Sequence, residues 1–516
     1  MLTRRRTIVA GGSLIAGSTL FGAPSGAQPG RFTTPLPVPP LIDAQAQGNS
    51  IRLVAQTGRH AFVEGRPVAT YGYSGPVLGP TIRMQSGAQV DVAIENRIDT
   101  DTIVHWHGFL IPSERDGGPH DHIAPGETWR RVLPVQQPET TAWYHPHPHR
   151  DTGRQVYFGM AGLVLIEDGS GARLDLPRTY GVDDLPLVLQ DRLFDGNGDL
   201  IYPANPMTVM QGARGNTIIV NGAIAPIARV PAGLVRLRLL NGSNARNLDL
   251  GFDDGRPLHV IASDGGYLGS PVSMTRLLIA PSERFEILVD FSDGRPAVLQ
   301  TGPDPFPPMM GMMMGRGQSA AGDIMSFAPD RDRPGAKRKI PSTLVDMPAA
   351  APSAQLLRRR FALNDMGGMM GGMGGMMGRG MMGGMMGGGM MGGGMMGGGM
   401  MGMGRGGSGL GINGQSFDMQ RIDVAVALDS REVWEVSAQS MAHPFHVHGV
   451  QFRILSLDGA APPPHLQGWK DTVLVSRSAE LLIHFTQPAL RAHPFMFHCH
   501  ILEHEDAGMM GQYVCA

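Results

Sequence analysis

Four pairs of histidines separated by one residue recur along the chain: His105-Trp106-His107, His145-Pro146-His147, His446-Val447-His448 and His498-Cys499-His500. In a β-strand successive side chains alternate between faces, so a spacing of two puts both rings of a pair on one face. Eight imidazoles offered in this way demand strands, and a fold that brings remote strands together. The remaining composition agrees, since 73 Gly and 41 Pro with few long apolar runs suit an all-β chain with many turns. With 516 residues, and roughly 150 per domain, about three domains follow once a leader is subtracted. A net charge of -2 with 17% charged residues gives no reason to expect a nucleic-acid partner.

The last pair brackets a cysteine. On the strand reading, Cys499 faces away from His498 and His500, and His504 and Met509 follow at spacings that let a turn return them to the thiolate. Two His and a Cys with a weak axial thioether form the ligand pattern of a blue copper centre. The second histidine is His443, an odd number of residues from His446 and His448 and therefore free to face the other way. Zinc explains this set poorly, because it performs no redox chemistry and gains nothing from a long Met contact. A disulfide between Cys499 and Cys515 would consume the metal thiolate, so Cys515 is expected as a free thiol. No mononuclear site uses eight histidines, whereas a cluster of three metal ions would. His120, His122 and His149 neighbour the first two pairs and His493 precedes the last strand; these read as surface or packing histidines.

The four motifs in this order resemble those of the multicopper oxidases, and the C-terminal portion is similar to the bacterial copper-tolerance cuprous oxidases of the CueO type. The resemblance extends to Asp116-Gly-Gly-Pro119, Asn241 to Arg246, Ile412 to Asp418 and Gly468 to Thr472. It implies three consecutive cupredoxin-like Greek-key β-sandwich domains, expected here at 41–168, 172–322 and 354–516, with 323–353, rich in Pro and charge, as a linker. It implies four copper ions. His443, Cys499, His504 and Met509 would hold the type 1 ion, and His105 and His446 the type 2 ion. His107, His145 and His500 would hold one type 3 ion, and His147, His448 and His498 the other. No ligand position is substituted, which matters because some relatives have lost copper and kept the fold. Cys499 would pass electrons through the backbone to His498 and His500 for the reduction of O2 to water. The family's proton-carrying acids match Asp116 and Glu505, which as bare sequence are also ordinary turn acids.

Thr3-Arg4-Arg5-Arg6 ahead of the weakly apolar stretch Thr7 to Phe21, with Ser25-Gly26-Ala27 after it, reads as an export signal over 1–27. The paired arginines point to the twin-arginine route and a periplasmic protein, and the apolar run is too short and Gly-rich for a membrane span. About half of the 35 methionines fall in the Met/Gly run 366–407, which carries almost no charge and no His or Cys. A second cluster spans Met309 to Met314. Thioethers are soft ligands that favour Cu(I), and the run's glycines oppose regular structure. A substrate-copper site is expected at Met441 and Asp365, with Met366 and Met369 as replacements for two family ligands that do not match, one of them at Gln439. The expected activity is oxidation of Cu(I) to Cu(II) with O2 as acceptor, by a monomer, for copper tolerance. The alternatives are a laccase-like oxidase of phenols and aromatic amines, and a periplasmic copper-storage protein.

Overall fold

The computed structural model describes residues 32–306, 321–334, 338–350, 355–364 and 410–516. The export signal, Met309 to Met314, Asp365 and the whole Met/Gly run, with Met366 and Met369, lie outside the described residues. The all-β expectation holds. Among the described residues six sheets form three successive pairs, and each pair encloses its own apolar core.

In the first pair, the strands Leu41–Asp43, Thr81–Gln85, Gly162–Glu167, Thr140–Pro146 and Val104–His107 face a sheet built on Ser50–Val63, Arg66–Tyr73, Gln89–Arg97 and Thr128–Pro134. Alternation is visible in Ser50–Val63, where Ile51, Leu53 and Ala55 are buried while Ser50 and Arg52 face solvent. Each such Ile or Leu contributes about 1.5–3 kcal/mol by leaving water. In the second pair, Leu234–Asn241 lies between Asp184–Phe194, a parallel neighbour, and Arg284–Asp290, an antiparallel one. The third pair sets the sheet of Leu357–Asn364, Arg431–Ala438, Ser478–His484 and Phe452–Leu457 against that of His443–Val447, Phe495–Cys499, Met510–Cys515, Thr472–Val475 and Val424–Val426.

One boundary differs from expectation. Residues 323–334, read as the start of a linker, belong to the strand Gly322–Pro334, which runs parallel to Ile227–Ala232 and antiparallel to Ala297–Thr301. Ile324, Met325 and Phe327 fill the second core. The Pro and charge that suggested a linker sit at the strand's far end, where Arg331, Asp332 and Arg333 are exposed. Irregular chain with no strand occupies 338–350.

The three pairs meet at Arg284, which is 1% exposed. Its guanidinium donates to Asp471 Oδ1 at 2.8 Å and Oδ2 at 2.5 Å in the third pair, and to the Thr141 carbonyl at 3.2 Å in the first. Its own backbone N–H donates to Asp264 Oδ1 at 2.8 Å. The buried Lys470 ammonium, 2.9 Å from Asp264 and 3.0 Å from Glu283, extends the network. Removing one member strands its partners' charges away from water. Arg284→Met is therefore expected to cost about 3–5 kcal/mol, read as a lower urea midpoint, whereas an unchanged midpoint would deny the network any role in joining the units.

Candidate metal centre

Cross-strand register gathers the histidines. His105 stands opposite His145 across the pair Val104–His107 and Thr140–Pro146, and His446 opposite His498 across His443–Val447 and Phe495–Cys499. The first and third sheet pairs then abut ring on ring. His105 stacks on His448 with centroids 3.8 Å apart, and His107 stacks on His446 at 3.7 Å. All eight rings are at most 1% exposed. His147, His448 and His498 converge as one triad, their Nε2 atoms 3.2 Å (His448 to His498) and 3.4 Å (His147 to His498) apart. His107 and His145 gather with His105, and His105 and His446 gather with His448. The His500 ring lies 5.2 Å from that of His107 and 5.3 Å from that of His145.

Most of these rings are held by one nitrogen and open at the other. Nδ1 of His105 donates to the Asp116 carbonyl, that of His145 to the Pro146 carbonyl, that of His446 to the Asp471 carbonyl and that of His498 to the Cys499 carbonyl, all between 2.8 and 3.1 Å. His448 Nδ1 lies 2.7 Å from Asp116 Oδ2, and His107 uses Nε2 on Asp471 Oδ1 at 3.0 Å. Nε2 of His105, His145 and His446, Nδ1 of His107 and both nitrogens of His500 are buried with no hydrogen-bond partner. A buried ring nitrogen without a partner is costly, and a fixed outer hydrogen bond selects the tautomer that turns a lone pair inward. Burial away from water holds His107, His145, His147, His446, His448 and His498 well below the usual imidazole pKa, and brings His500 to about 3. With ring nitrogens converging and several of them buried without a partner, the set fits a cluster of imidazole-bound metal ions.

On the opposite face of the strand Phe495–Cys499 lies a separate group of His443, Cys499 and His504. The Cys499 sulfur is 3.3 Å from His443 Nδ1 and 3.7 Å from His504 Nδ1, and it accepts the Ile501 N–H at 3.3 Å. His504 Nε2 donates to the Met210 carbonyl at 3.2 Å, which turns Nδ1 toward the sulfur. Met509 is buried in the same core, and its N–H donates to the His504 carbonyl while its carbonyl accepts the Cys499 N–H. A soft sulfur with two oriented imidazoles and a buried thioether suits copper.

The short helix Leu502–Asp506 joins these sites to every unit. Glu503 accepts from Ala213 N at 2.8 Å, Asn244 Nδ2 at 2.7 Å and the Tyr202 hydroxyl at 3.0 Å; His504 faces the cysteine. Glu505 turns to the cluster, its oxygens 3.2 Å from His498 Nδ1 and 3.5 Å from His147 Nδ1. Burial, with Asp506 beside it, pushes its carboxyl well above the usual range. Asp506 accepts the N–H groups of Thr152 and Gly153 at 2.9 Å. Asp116 approaches from the first unit, within 2.7 Å of His448 Nδ1 and 3.3 Å of His105 Nδ1. The turn that carries it needs glycine, since Gly117 has φ +83° and a Cβ there would lie 1.9 Å from the Val104 carbonyl oxygen.

Met441 packs half-buried against the core that contains Cys499. Gln439 is exposed, on a cleft of about 400 Å³ lined also by Pro305, Phe306, Met441 and Arg477. His122 and His149 are exposed, His120 lies 2.9 Å from Gln512 Oε1 and His493 lies 3.1 Å from Asp121, so all four stay outside the cluster. Cys515 is a buried free thiol. Asp471 was not singled out by sequence reasoning, although it sits in the quoted Gly468 to Thr472 motif; it orients His107 with its carboxylate and His446 with its carbonyl. Glu503 and Asn244 were likewise missed. Asn244 lay inside a quoted motif, which was the available signal.

Family models described as multicopper oxidase match residues 55–171, 178–298 and 391–516. The chain is 44% identical to the laccase-like multi-copper oxidase CueO from the lignin-degrading bacterium Ochrobactrum sp., covering 93% of this chain and 100% of that one with a TM-score of 0.80. A laccase from Pediococcus acidilactici is 33% identical, covering 93% of each chain with a TM-score of 0.77. The cell division protein FtsP of Escherichia coli is 35% identical over 516 residues, 99% of this chain and 98% of that one. Matched by family models in all three units and similar over nearly its whole length to solved multicopper oxidases, the chain belongs to the multicopper oxidase family.

Proposed function

We propose that the protein is an exported cuprous oxidase, coupling 4 Cu(I) + O2 + 4 H⁺ to 4 Cu(II) + 2 H2O. His443, Cys499, His504 and Met509 would hold a type 1 copper, and His105 and His446 a type 2 copper. His107, His145 and His500 would hold one type 3 copper, and His147, His448 and His498 the other. When bound, the four coppers supply one-electron acceptance at the cysteine and four-electron reduction of O2 at the cluster. The observation that carries the reading is the strand Phe495–Cys499, whose cysteine belongs to one donor group while His498 belongs to the other and the ring of the next residue, His500, lies 5.2 Å from that of His107 and 5.3 Å from that of His145. One peptide bond on either side of Cys499 thus joins the two groups covalently. Asp116 and Glu505 each stand between two cluster imidazoles and are assigned to carry protons inward.

Cu(I) as substrate rests on methionines carried by elements that pack beside His504. The helix Pro206–Gln211 carries Met207 and Met210 three residues apart, hence on one side, with Met207 41% exposed and the Met210 carbonyl on His504. Met441 packs against the same core. These soft donors, with the Met/Gly run 366–407 as collector, suit a monovalent copper ion. Deleting 366–407 is expected to lower O2 uptake with Cu(I) as sole reductant and to leave or raise oxidation of bulky phenols. Unchanged Cu(I) turnover would remove the collector role.

A phenol oxidase is the second reading. It is favoured by the cleft beside Met441 and by the Ochrobactrum relative, described as active towards lignin model compounds. The likeness to FtsP favours a role in cell division instead. Copper content separates this last reading, since a chain purified after copper supplementation with no bound copper and no O2 uptake would leave it standing alone. The paired arginines at the N-terminus support export to the periplasm with copper already loaded, checked by replacing Arg4, Arg5 and Arg6 with lysine and following the protein by fractionation.

A further inference from the structure

A cleft of about 390 Å³ lies between the second and third sheet pairs, and its lining shares no residue with either donor group. The strand Phe452–Leu457 contributes Arg453 and Ile454 to one wall, Leu268 and Val272 come from the strand Gly266–Met274, and Met347 and Pro348 of the irregular segment 338–350 complete it. This volume is within the range of small-molecule sites. Ser270 and Gln467 add polar side chains to the lining, and Arg453 is the one charged group in it.

Arg453 is 7% exposed. One guanidinium nitrogen, Nη1, donates to the Pro348 carbonyl at 3.0 Å, and the group lies 5.5 Å from the Trp469 ring. Its Nε is buried with no partner, and among the described residues no carboxylate stands within ion-pair distance of it. Buried Arg236, Arg238, Arg246 and Arg284 have carboxylate partners, and buried Arg192, without one among the described residues, donates to two carbonyls, of Asp191 and Val156, where Arg453 has one. Burial lowers the Arg453 pKa, as expected of a charge removed from water without a counter-ion. A buried cation of this kind is costly unless something anionic meets it.

We propose that this cleft binds a small organic carboxylate, its charged end paired with Arg453 and its apolar body against Leu268, Val272 and Pro348. A guanidinium fork matches a carboxylate in plane and supplies the missing partner for Nε. Inorganic phosphate fits less well, because its higher charge would meet a single cation, and of the other polar lining side chains, Ser270 and Gln467, the Gln467 amide already donates to the Pro462 carbonyl at 3.0 Å. The site is independent of the copper chemistry.

Benzoate is the probe, titrated calorimetrically into the copper-loaded full-length protein with benzamide as its uncharged counterpart. Saturable binding of one benzoate is expected, with benzamide at least roughly tenfold weaker, a difference of about 1.4 kcal/mol. Arg453→Gln should weaken benzoate to a similar degree. Because that change also releases Pro348, a second variant, Val272→Trp, fills the cleft from the facing wall and leaves Arg453 in place. It should abolish benzoate binding while copper content and visible spectrum stay unchanged. Benzoate binding equally to wild type and to Val272→Trp places it elsewhere, for example on copper, and overturns the proposal. Equal affinity for benzamide, or no benzoate binding at millimolar concentration, overturns it as well.

Discussion

The variant Cys499→Ser is expected to keep copper at the histidine cluster and yet to lose turnover with every reductant, by roughly a thousandfold or more. The expectation rests on the separation of the two donor groups. Cys499 sits on the face that carries His443 and His504, whereas the outer hydrogen bonds of His105, His107, His145, His446 and His448 run to groups other than residue 499. The serine is nearly isosteric, so the buried strand should remain packed, and the Cys499 carbonyl that accepts from His498 is unaffected by the change. What disappears is the soft thiolate and its charge-transfer absorption. Metal analysis should find about three coppers per chain against the about four expected of the parent, in line with two classes of donor set. Visible spectroscopy and O2 uptake complete the test. A variant that still oxidises Cu(I) or a phenol at the parental rate would show that electrons enter the cluster by another path.

The second large effect is expected at Asp116 and Glu505. Each carboxylate is buried and spans two imidazoles, Asp116 between His105 and His448 and Glu505 between His147 and His498. An acid in this position has two readings, an orienter of rings or a carrier of protons to the reacting oxygen. The amides Asp116→Asn and Glu505→Gln tell them apart, because each keeps size and a hydrogen-bond-accepting oxygen but cannot exchange a carboxyl proton. With proton delivery as the role, kcat falls by on the order of 10²–10⁴, copper content and the visible band persist, and the solvent deuterium effect grows. Near-parental turnover in both amides would assign them to ring orientation alone. Glu505 offers the cleaner contrast, since His498 Nδ1 already donates to the Cys499 carbonyl at 3.1 Å and does not depend on Glu505 for its orientation.

The division of the candidate donors into two groups was legible because local geometry carries it. A strand's period of two settles that His498 and His500 share a face and that Cys499 does not, before any tertiary contact is known. The same parity separates His443 from His446, and the structure turns the first toward the cysteine and the second toward the cluster. Linker and strand were confused at 323–334 for an equally physical reason. Exposed Arg and Asp dominate one end of that strand, and its apolar half is short enough to pass for loop when read alone.

What the sequence by itself determined is the chemistry: which side chains are soft, which imidazoles travel in pairs, and that strands must present them. Pairing across units was left to the tertiary structure. The stacking of His105 on His448 and of His107 on His446 joins strands more than 300 residues apart, and no local period encodes such a contact. The supporting groups share that origin. Asp471 acts on His107 only because Arg284 holds its carboxylate in place, and Glu503 steadies the helix bearing His504 only because Ala213, Asn244 and Tyr202 arrive from the second unit. Ligand type is a property of single residues and short repeats, whereas orientation and burial are properties of the packed whole, and the second pair decides whether the first can act.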